Sequence, residues 1–256
     1  MNNSRVIAVT GKGGTGKTLL VTLMAKILAI KYGGKLLAID ADSAISLPHA
    51  LGIKIEKTIS DIRELIINDP EVRDKIAQKH ISETIGSILK QDAGINILVM
   101  GRPEGPGCFC TVNDLLKYGI ETISKNFQVV IVDCEAGPEQ INRRVLQNID
   151  TLVIVTDTAS RSFRTAYSIL KIAEEGAVSV PFNVGLVINR MGTDNNAVMK
   201  SIEQFVGKDV KVFGSIPEDK NITKFETIDK PVIGLPDSSP SVIAVYGIIE
   251  KMGIEL

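Results

Sequence analysis

The residues Gly11-Lys12-Gly13-Gly14-Thr15-Gly16-Lys17-Thr18 carry the most specific chemistry in this chain of 256 residues. They satisfy G-x-x-x-x-G-K-[ST], directly after a strand pattern and directly before a helical one. Glycines let the backbone curl so that its N–H groups point inward at phosphate oxygens. The helix starting near Lys17 adds the positive end of its dipole. Lys17 neutralises β- and γ-phosphates, and Thr18 supplies a hydroxyl to Mg²⁺. ATP or ADP with Mg²⁺ is the ligand this pattern predicts. Lys12 stands where the pattern leaves the residue free. It lies on the outer side of the loop, where its own phosphates do not need it, and a plain solvent-exposed lysine is the other reading.

Carboxylates follow at the ends of later strands. One apolar run closes in Asp40-Ala41-Asp42 and another, Val129–Val132, in Asp133. In open α/β sheets the carboxyl ends of strands face the ligand crevice. An Asp ending an all-apolar strand holds Mg²⁺ directly or through water. Asp40 and Asp42 are also the residue type that caps a following helix, and that alternative stays open. A further buried-strand pattern ends in Val187-Ile188-Asn189-Arg190, where an asparagine can equally be a turn residue.

The segment Gly101 to Cys110 contains Cys108-Phe109-Cys110. In an extended segment side chains alternate, so both thiols fall on one side. Two thiolates are too few for a closed tetrahedral zinc or iron–sulfur site, but two copies related by a two-fold axis supply four. Ni²⁺, Zn²⁺ or a [4Fe–4S] cluster would suit such a shared site. Buried small residues or a local disulfide are the plainer readings of the pair. Cys134, beside Asp133, reads as a packed small residue or a thiol sensing nucleotide state. His49 and His80 lack metal-ligand spacing.

The elements that must position these residues are short apolar runs alternating with helical stretches. The runs are Val6–Thr10, Leu36–Asp40, Ile95–Met100, Val129–Asp133, Leu152–Thr156, Val184–Asn189 and Val210–Ile216. They are continuous rather than alternating in apolar character, as in strands buried on both faces. Helices are expected at Lys17–Lys31, Pro70–Leu89, Val112–Ser124, Glu139–Gln147, Ser162–Glu175, Ala197–Val206 and Pro240–Lys251. Right-handed βαβ units follow, and with them an α/β fold: a doubly wound, mostly parallel sheet flanked by helices. No repeat or long linker divides the chain, so residues 1–256 are expected to form one domain.

Composition removes other classes. Hydrophobic residues make up 44% and charged residues 23%, which excludes a largely disordered chain. A net charge of −1, 4% aromatics and no Trp argue against a nucleic-acid partner. Three cysteines make no disulfide framework. No apolar run reaches about 18 residues, and the last residues, Tyr246–Leu256, carry one lysine and two acids, not a basic membrane-lying helix. A cytoplasmic protein without a membrane partner is the expectation.

Taken together, K-G-G-x-G-K-T, D-x-D at Asp40–Asp42, G-P-G-C-x-C ending at Cys110 and D-x-x-A-G at Asp133–Gly137 resemble the CooC-type ATPases. These are nickel-insertion accessory proteins for carbon monoxide dehydrogenase, with the AcsF relatives serving acetyl-CoA synthase. They belong to the deviant Walker A group with ParA, MinD and the nitrogenase iron protein. The resemblance spans essentially the whole chain; Thr15 stands where many relatives carry Val.

It implies a P-loop NTPase of the ParA/MinD type that hydrolyses ATP in a sandwich homodimer. Lys12 would reach the partner's phosphates. Asp42 would orient the attacking water, Asp40 would support the Mg²⁺ shell, and Gly137 would report the γ-phosphate. Asn189, followed by Arg190, would meet the adenine edge, with Pro217 completing the base pocket. Cys108 and Cys110 would hold Ni²⁺ or Zn²⁺ across the dimer for delivery to a nickel enzyme. A MinD- or ParA-like positioning ATPase, and an iron–sulfur electron-transfer or carrier protein, are the competing readings.

Overall fold

A computed structural model describes residues 4–69, 71, 81–102, 110–136, 149–175, 183–192 and 195–256. The described strands are β1 (Arg5–Gly11), β2 (Leu36–Ala41), β3 (Lys90–Asp92), β4 (Ile95–Val99), β5 (Val129–Cys134), β6 (Thr151–Thr156), β7 (Asn183–Met191) and β8 (Val212–Pro217). They form one sheet in the order β3-β4-β2-β5-β1-β6-β7-β8. Every pairing is parallel except β3 with β4. The doubly wound, mostly parallel architecture expected from the sequence is therefore present.

The described helices are α1 (Lys17–Tyr32), α2 (Leu47–Leu51), α3 (Ile59–Asn68), α4 (Ile81–Ile88), α5 (Cys110–Ser124), α6 (Ser160–Glu175), α7 (Asn195–Phe205), α8 (Lys220–Thr227) and α9 (Pro240–Lys251). They cover both faces of the sheet. In β2, Leu36 and Ala38 pack with Leu20, Met24 and Ile27 of α1 and Val245 and Ile249 of α9. Leu37 and Ile39 pack on the opposite face with Ile62 of α3, Ile85 of α4 and Ile120 of α5. Ala8 and Ile154 join Phe163 and Ile169 of α6 on that second face. Each fully buried Leu or Ile contributes about 1.5–3 kcal/mol. That two-sided burial is why the strands read as unbroken apolar runs.

Some boundaries differ from expectation. The fourth strand stops at Val99: Met100 still donates its N–H to the Asp40 carbonyl, at 2.8 Å, but its own carbonyl accepts from Ser60 while the Asp42 N–H turns to Asp40 Oδ1, so the next rung is not made. The last strand starts at Val212 rather than Val210. Of the helix expected over Pro70–Leu89, the described part is mainly α4. The helix expected at Glu139–Gln147 lies outside the described residues. Helices α2, α3 and α8 and strand β3 were not anticipated. Strand β3 is Lys90-Gln91-Asp92, an edge strand without an apolar residue.

Register sets the site. Asp40 of β2 lies directly opposite Asp133 of β5, and Asp133 opposite Val9 of β1. Gly11, ending β1, lies opposite Val155 of β6. Three adjacent strands thus deliver two carboxylates and the glycine-rich loop to one carboxyl edge.

Candidate active site

The loop between β1 and α1 is held by its own backbone. Thr15 donates its N–H and its hydroxyl to the carbonyl of Lys12, at 3.3 and 2.7 Å. Gly11 has φ +148°, and a Cβ there would overlap the carbonyl oxygen of Val155. Gly16 has φ +95°, a region costly for any side chain. Helix α1 begins without a side-chain cap and without an acid in its first turn. Its first N–H groups and its dipole are therefore available to an anion. Lys17 is buried beneath the loop, at 7% exposure.

The carboxylates crowd next to it. Asp133 and Asp40 are both fully buried. Thr18 donates its hydroxyl to Asp133 Oδ2 at 2.6 Å and lies 3.1 Å from the Ser46 hydroxyl. Burial pushes the Asp133 carboxyl up to about 7, against the Thr18 hydrogen bond; the charge of Asp40 adds to the rise. Asp133 Oδ1 is buried with no protein partner. An orphaned buried carboxylate oxygen costs energy unless something meets it. With the Thr18 hydroxyl beside it, this oxygen offers the hard donor set that Mg²⁺ takes when it is also held by phosphates and water. The residues present fit that ion.

Asp40 accepts from the N–H of Asp42 through Oδ1 and from the N–H of Leu47 through Oδ2, both at 3.0 Å. Leu47 is the first residue of α2, so Asp40 organises the turn leading into that helix. Burial still lifts its carboxyl to about 6, the two backbone donors opposing and Asp42 adding. Asp42 accepts from the N–H of Ala44 at 2.9 Å and is half-buried. The Ser43 hydroxyl lies 3.2 Å from Glu135 Oε1, linking the segments after β2 and β5. Gly137 lies outside the described residues.

Cys134 packs between the two core clusters on the second face. Burial, then the neighbouring Asp133 charge, pushes its thiol up to about 12. It stays a neutral thiol at ordinary pH.

On the other side of the loop, Asn189 is buried at 3% exposure, half-buried Pro217 closes β8, and Arg190 takes φ +54°. Asp157, just after β6, was not anticipated. Burial opposes its charge, yet the Ala159 N–H at 3.0 Å and the charges of Lys12 and Arg190 hold its carboxyl below the ordinary value. Lys12 is half-buried and within electrostatic reach of Asp157. The available signal was an acid closing an apolar strand, the same signal that marks Asp133.

Cys108 lies outside the described residues, whereas Cys110 is the first residue of α5. The alternation rule for extended chain therefore does not reach Cys110. Their segment leaves the sheet beside Asp40: Met100 donates to the Asp40 carbonyl, and Ser60 donates its N–H and hydroxyl to the Met100 carbonyl, both at 2.9 Å. Among the described residues no group of three or more His, Cys, Asp or Glu could hold a metal ion. His49 is exposed and 3.1 Å from Asp229; His80 lies outside the described residues. No helix among the described residues is long and apolar enough to cross a membrane.

Comparison with known proteins agrees with this geometry. Residues 6–232 match the model of the CobQ/CobB/MinD/ParA nucleotide binding domain. The chain is 34% identical over 251 residues to an uncharacterized ATP-binding protein of Methanocaldococcus jannaschii, covering 96% of this chain and 98% of that one. It is 30% identical over 251 residues to the carbon monoxide dehydrogenase accessory protein CooC of Rhodospirillum rubrum, covering 92% and 90%. Among solved structures it resembles the septum site-determining protein MinD of Pyrococcus horikoshii complexed with Mg-ADP. The TM-score is 0.70 at 19% identity, over 97% of this chain and 95% of that one. The anion-ready loop, the buried carboxylates and the match over residues 6–232 lead to one conclusion: the chain is a P-loop ATPase of the CobQ/CobB/MinD/ParA nucleotide-binding family.

Proposed function

We propose that this ATPase carries nickel, or zinc in its place, to a nickel enzyme such as carbon monoxide dehydrogenase or acetyl-CoA synthase. The carrying observation is the Cys108-x-Cys110 pair, in a segment that starts where Met100 is hydrogen-bonded to Asp40. The likeness to CooC at 30% identity supports it.

The nucleotide's phosphates lie against the N–H groups of Gly13–Thr18, with Lys17 neutralising them. Mg²⁺, held by Thr18 and Asp133, supplies charge neutralisation at the phosphates when bound. Asp42 positions the attacking water and takes its proton. Lys12 of each subunit reaches the nucleotide of the other, so transition-state charge is fully met only in a closed homodimer. Two Cys108/Cys110 pairs then supply four thiolates to one cargo ion. Closing and reopening the dimer changes their separation and hence the affinity for the metal. By linkage, metal must then alter nucleotide affinity by the same factor.

The test is an anaerobic titration of the reduced protein with Ni²⁺ or Zn²⁺, with mass measured in solution, with ATP, with ADP and without nucleotide. One ion per two chains, with dimer formation and a thiolate absorption band, is expected. Loss of that stoichiometry in Cys108→Ser or Cys110→Ser is expected too. No binding in any nucleotide state would refute the metal role. ATP-dependent co-sedimentation with liposomes or DNA would then favour a positioning ATPase.

A further inference from the structure

Asn189 is expected at the base of the nucleotide, yet its side chain is turned to the phosphate loop. Its Nδ2 donates to the carbonyl of Thr15 at 2.8 Å, and its Oδ1 accepts the N–H of Arg190 at 2.9 Å. The first bond spans 174 residues of sequence and is fully buried. Two further features are built around it. Arg190 sits at φ +54°, a left-handed conformation that non-glycine residues seldom adopt. The ladder from β7 to β8 is irregular between Ile188 and Met191 as the chain passes through it. At Gly16, any Cβ would collide with the Asn189 amide nitrogen. The fold thus bends one strand end and keeps one glycine bare where this amide meets the loop.

The accepting atom is informative. The Thr15 carbonyl belongs to the peptide whose N–H is that of Gly16. In a planar trans peptide, C=O and N–H point in opposite directions. No cis peptide is present among the described residues. Pinning the carbonyl against Asn189 therefore turns the Gly16 N–H the other way, away from Asn189. The other side of Thr15 is fixed as well, by its N–H and hydroxyl on the Lys12 carbonyl. Thr15 is fully buried, and Asn189 is the partner its carbonyl has across the sheet edge.

We infer that Asn189 is a positioning residue for the phosphate loop. It aims the Thr15–Gly16 peptide at the phosphates whether or not a base is present. One amide hydrogen and one lone pair of Asn189 are left over, so this task is compatible with a contact to the base. The inference rests on nucleotide binding at the loop and is independent of the metal reading.

Base and phosphate roles separate when the base is removed from the ligand. Magnesium tripolyphosphate and Mg·ATP are titrated against the parent, Asn189→Ala and Asn189→Asp, each below its unfolding temperature. Asn189→Asp keeps size and the acceptor for Arg190 but puts an acceptor against the Thr15 carbonyl. Both variants are expected to lose tripolyphosphate affinity by about tenfold, the effect of weakening one N–H hydrogen bond to a charged phosphate oxygen when the Thr15–Gly16 peptide is no longer held. Val245→Ala, a fully buried core change on α9, serves as the control for lost stability alone. It is expected to lower the unfolding temperature and leave tripolyphosphate affinity unchanged. Four outcomes would overturn the inference. These are loss of Mg·ATP affinity alone, no loss for either ligand, an equal loss in Val245→Ala, and a parent that cannot hold tripolyphosphate without the base. Mg·ATP binding by the parent checks the nucleotide site itself, so its failure is told apart from failure of the Asn189 role.

Discussion

Replacing Asp133 with Asn tests the electrostatics of the centre in a way the two charge states make quantitative. Burial raises this carboxyl from 3.8 to about 7. The folded protein thus holds a proton that the unfolded chain has already released, throughout the window between those values. Stability must then fall as pH rises through it. At ~1.36 kcal/mol per unit, the full effect is about 4 kcal/mol, of which about 2.5 kcal/mol falls between pH 5 and pH 8. Asp133→Asn removes this titration while retaining an oxygen for the Thr18 hydroxyl. The assay is urea unfolding of both proteins, without nucleotide and with chelator, at several pH values. The variant minus parent difference reads Asp133 together with its charge coupling to Asp40, and cancels the groups that do not sense it. It is expected to move in the variant's favour by about 2.5 kcal/mol from pH 5 to pH 8. Mg·ATP at pH 8 should restore the parent and not the variant. A difference that stays flat with pH, or moves in the parent's favour, would refute the argument that this carboxyl is desolvated beyond what nearby Lys17 offsets.

Two further expectations concern the loop. Lys17→Ala should abolish nucleotide binding, because a buried ammonium beneath the loop is lost, whereas Lys12→Ala should bind ATP and lose concentration-dependent hydrolysis. Nucleotide titration and steady-state phosphate release distinguish the two, and equal turnover in Lys12→Ala and the parent would remove Lys12 from any role in trans. Gly11→Ala must relieve an overlap with the Val155 carbonyl at a positive φ, so it should cost about 2 kcal/mol or more in thermal or urea unfolding. An unchanged unfolding midpoint would show that β1 and β6 can part there at little cost.

What the sequence disclosed follows from how locally each feature is written. Seven strands were legible because burial on both faces leaves an unbroken apolar run, as in Val129–Val132. Strand β3 was not, since Lys90-Gln91-Asp92 pairs on one side only and carries no apolar residue. Helix α3 had a signal that went unread: Thr58 and Asp61 form a capping box, with Thr58 accepting from the Asp61 N–H. Helix α8 fully buries no residue; half-buried Ile222 and Phe225 rest on the core and its cap holds its start. Asp219 accepts from the Asn221 N–H at 2.9 Å and from the Ser241 hydroxyl at 2.6 Å. Its apolar signal is only Ile222 and Phe225, three residues apart in an eight-residue helix. The phosphate loop was legible because its residues are contiguous. The charge effect of Lys12 on Asp157 and the reach of Asn189 to Thr15 were not, because they depend on β6 lying beside β1 and β7 beside β6.

The same strand order explains why the centre needs its ligand. Parallel register sets Asp40 against Asp133, with Asp42 two residues beyond and buried Lys17 the nearby cation. Two buried acids, Asp40 and Asp133, with one base near them do not readily ionise together without a further cation. Their answer in its absence is to hold protons, which is what carboxyls lifted to about 6 and about 7 describe. A magnesium nucleotide brings both missing charges: the cation the acids lack, and the anion that Lys17 and the uncapped α1 can receive. Binding must therefore displace protons near neutral pH and tighten as pH rises through 6 to 7. Asp40 also carries, through its carboxylate, the turn into α2, and through its carbonyl, the start of the cysteine-bearing segment. A change of charge at that one residue is thus felt on two sides of the sheet edge.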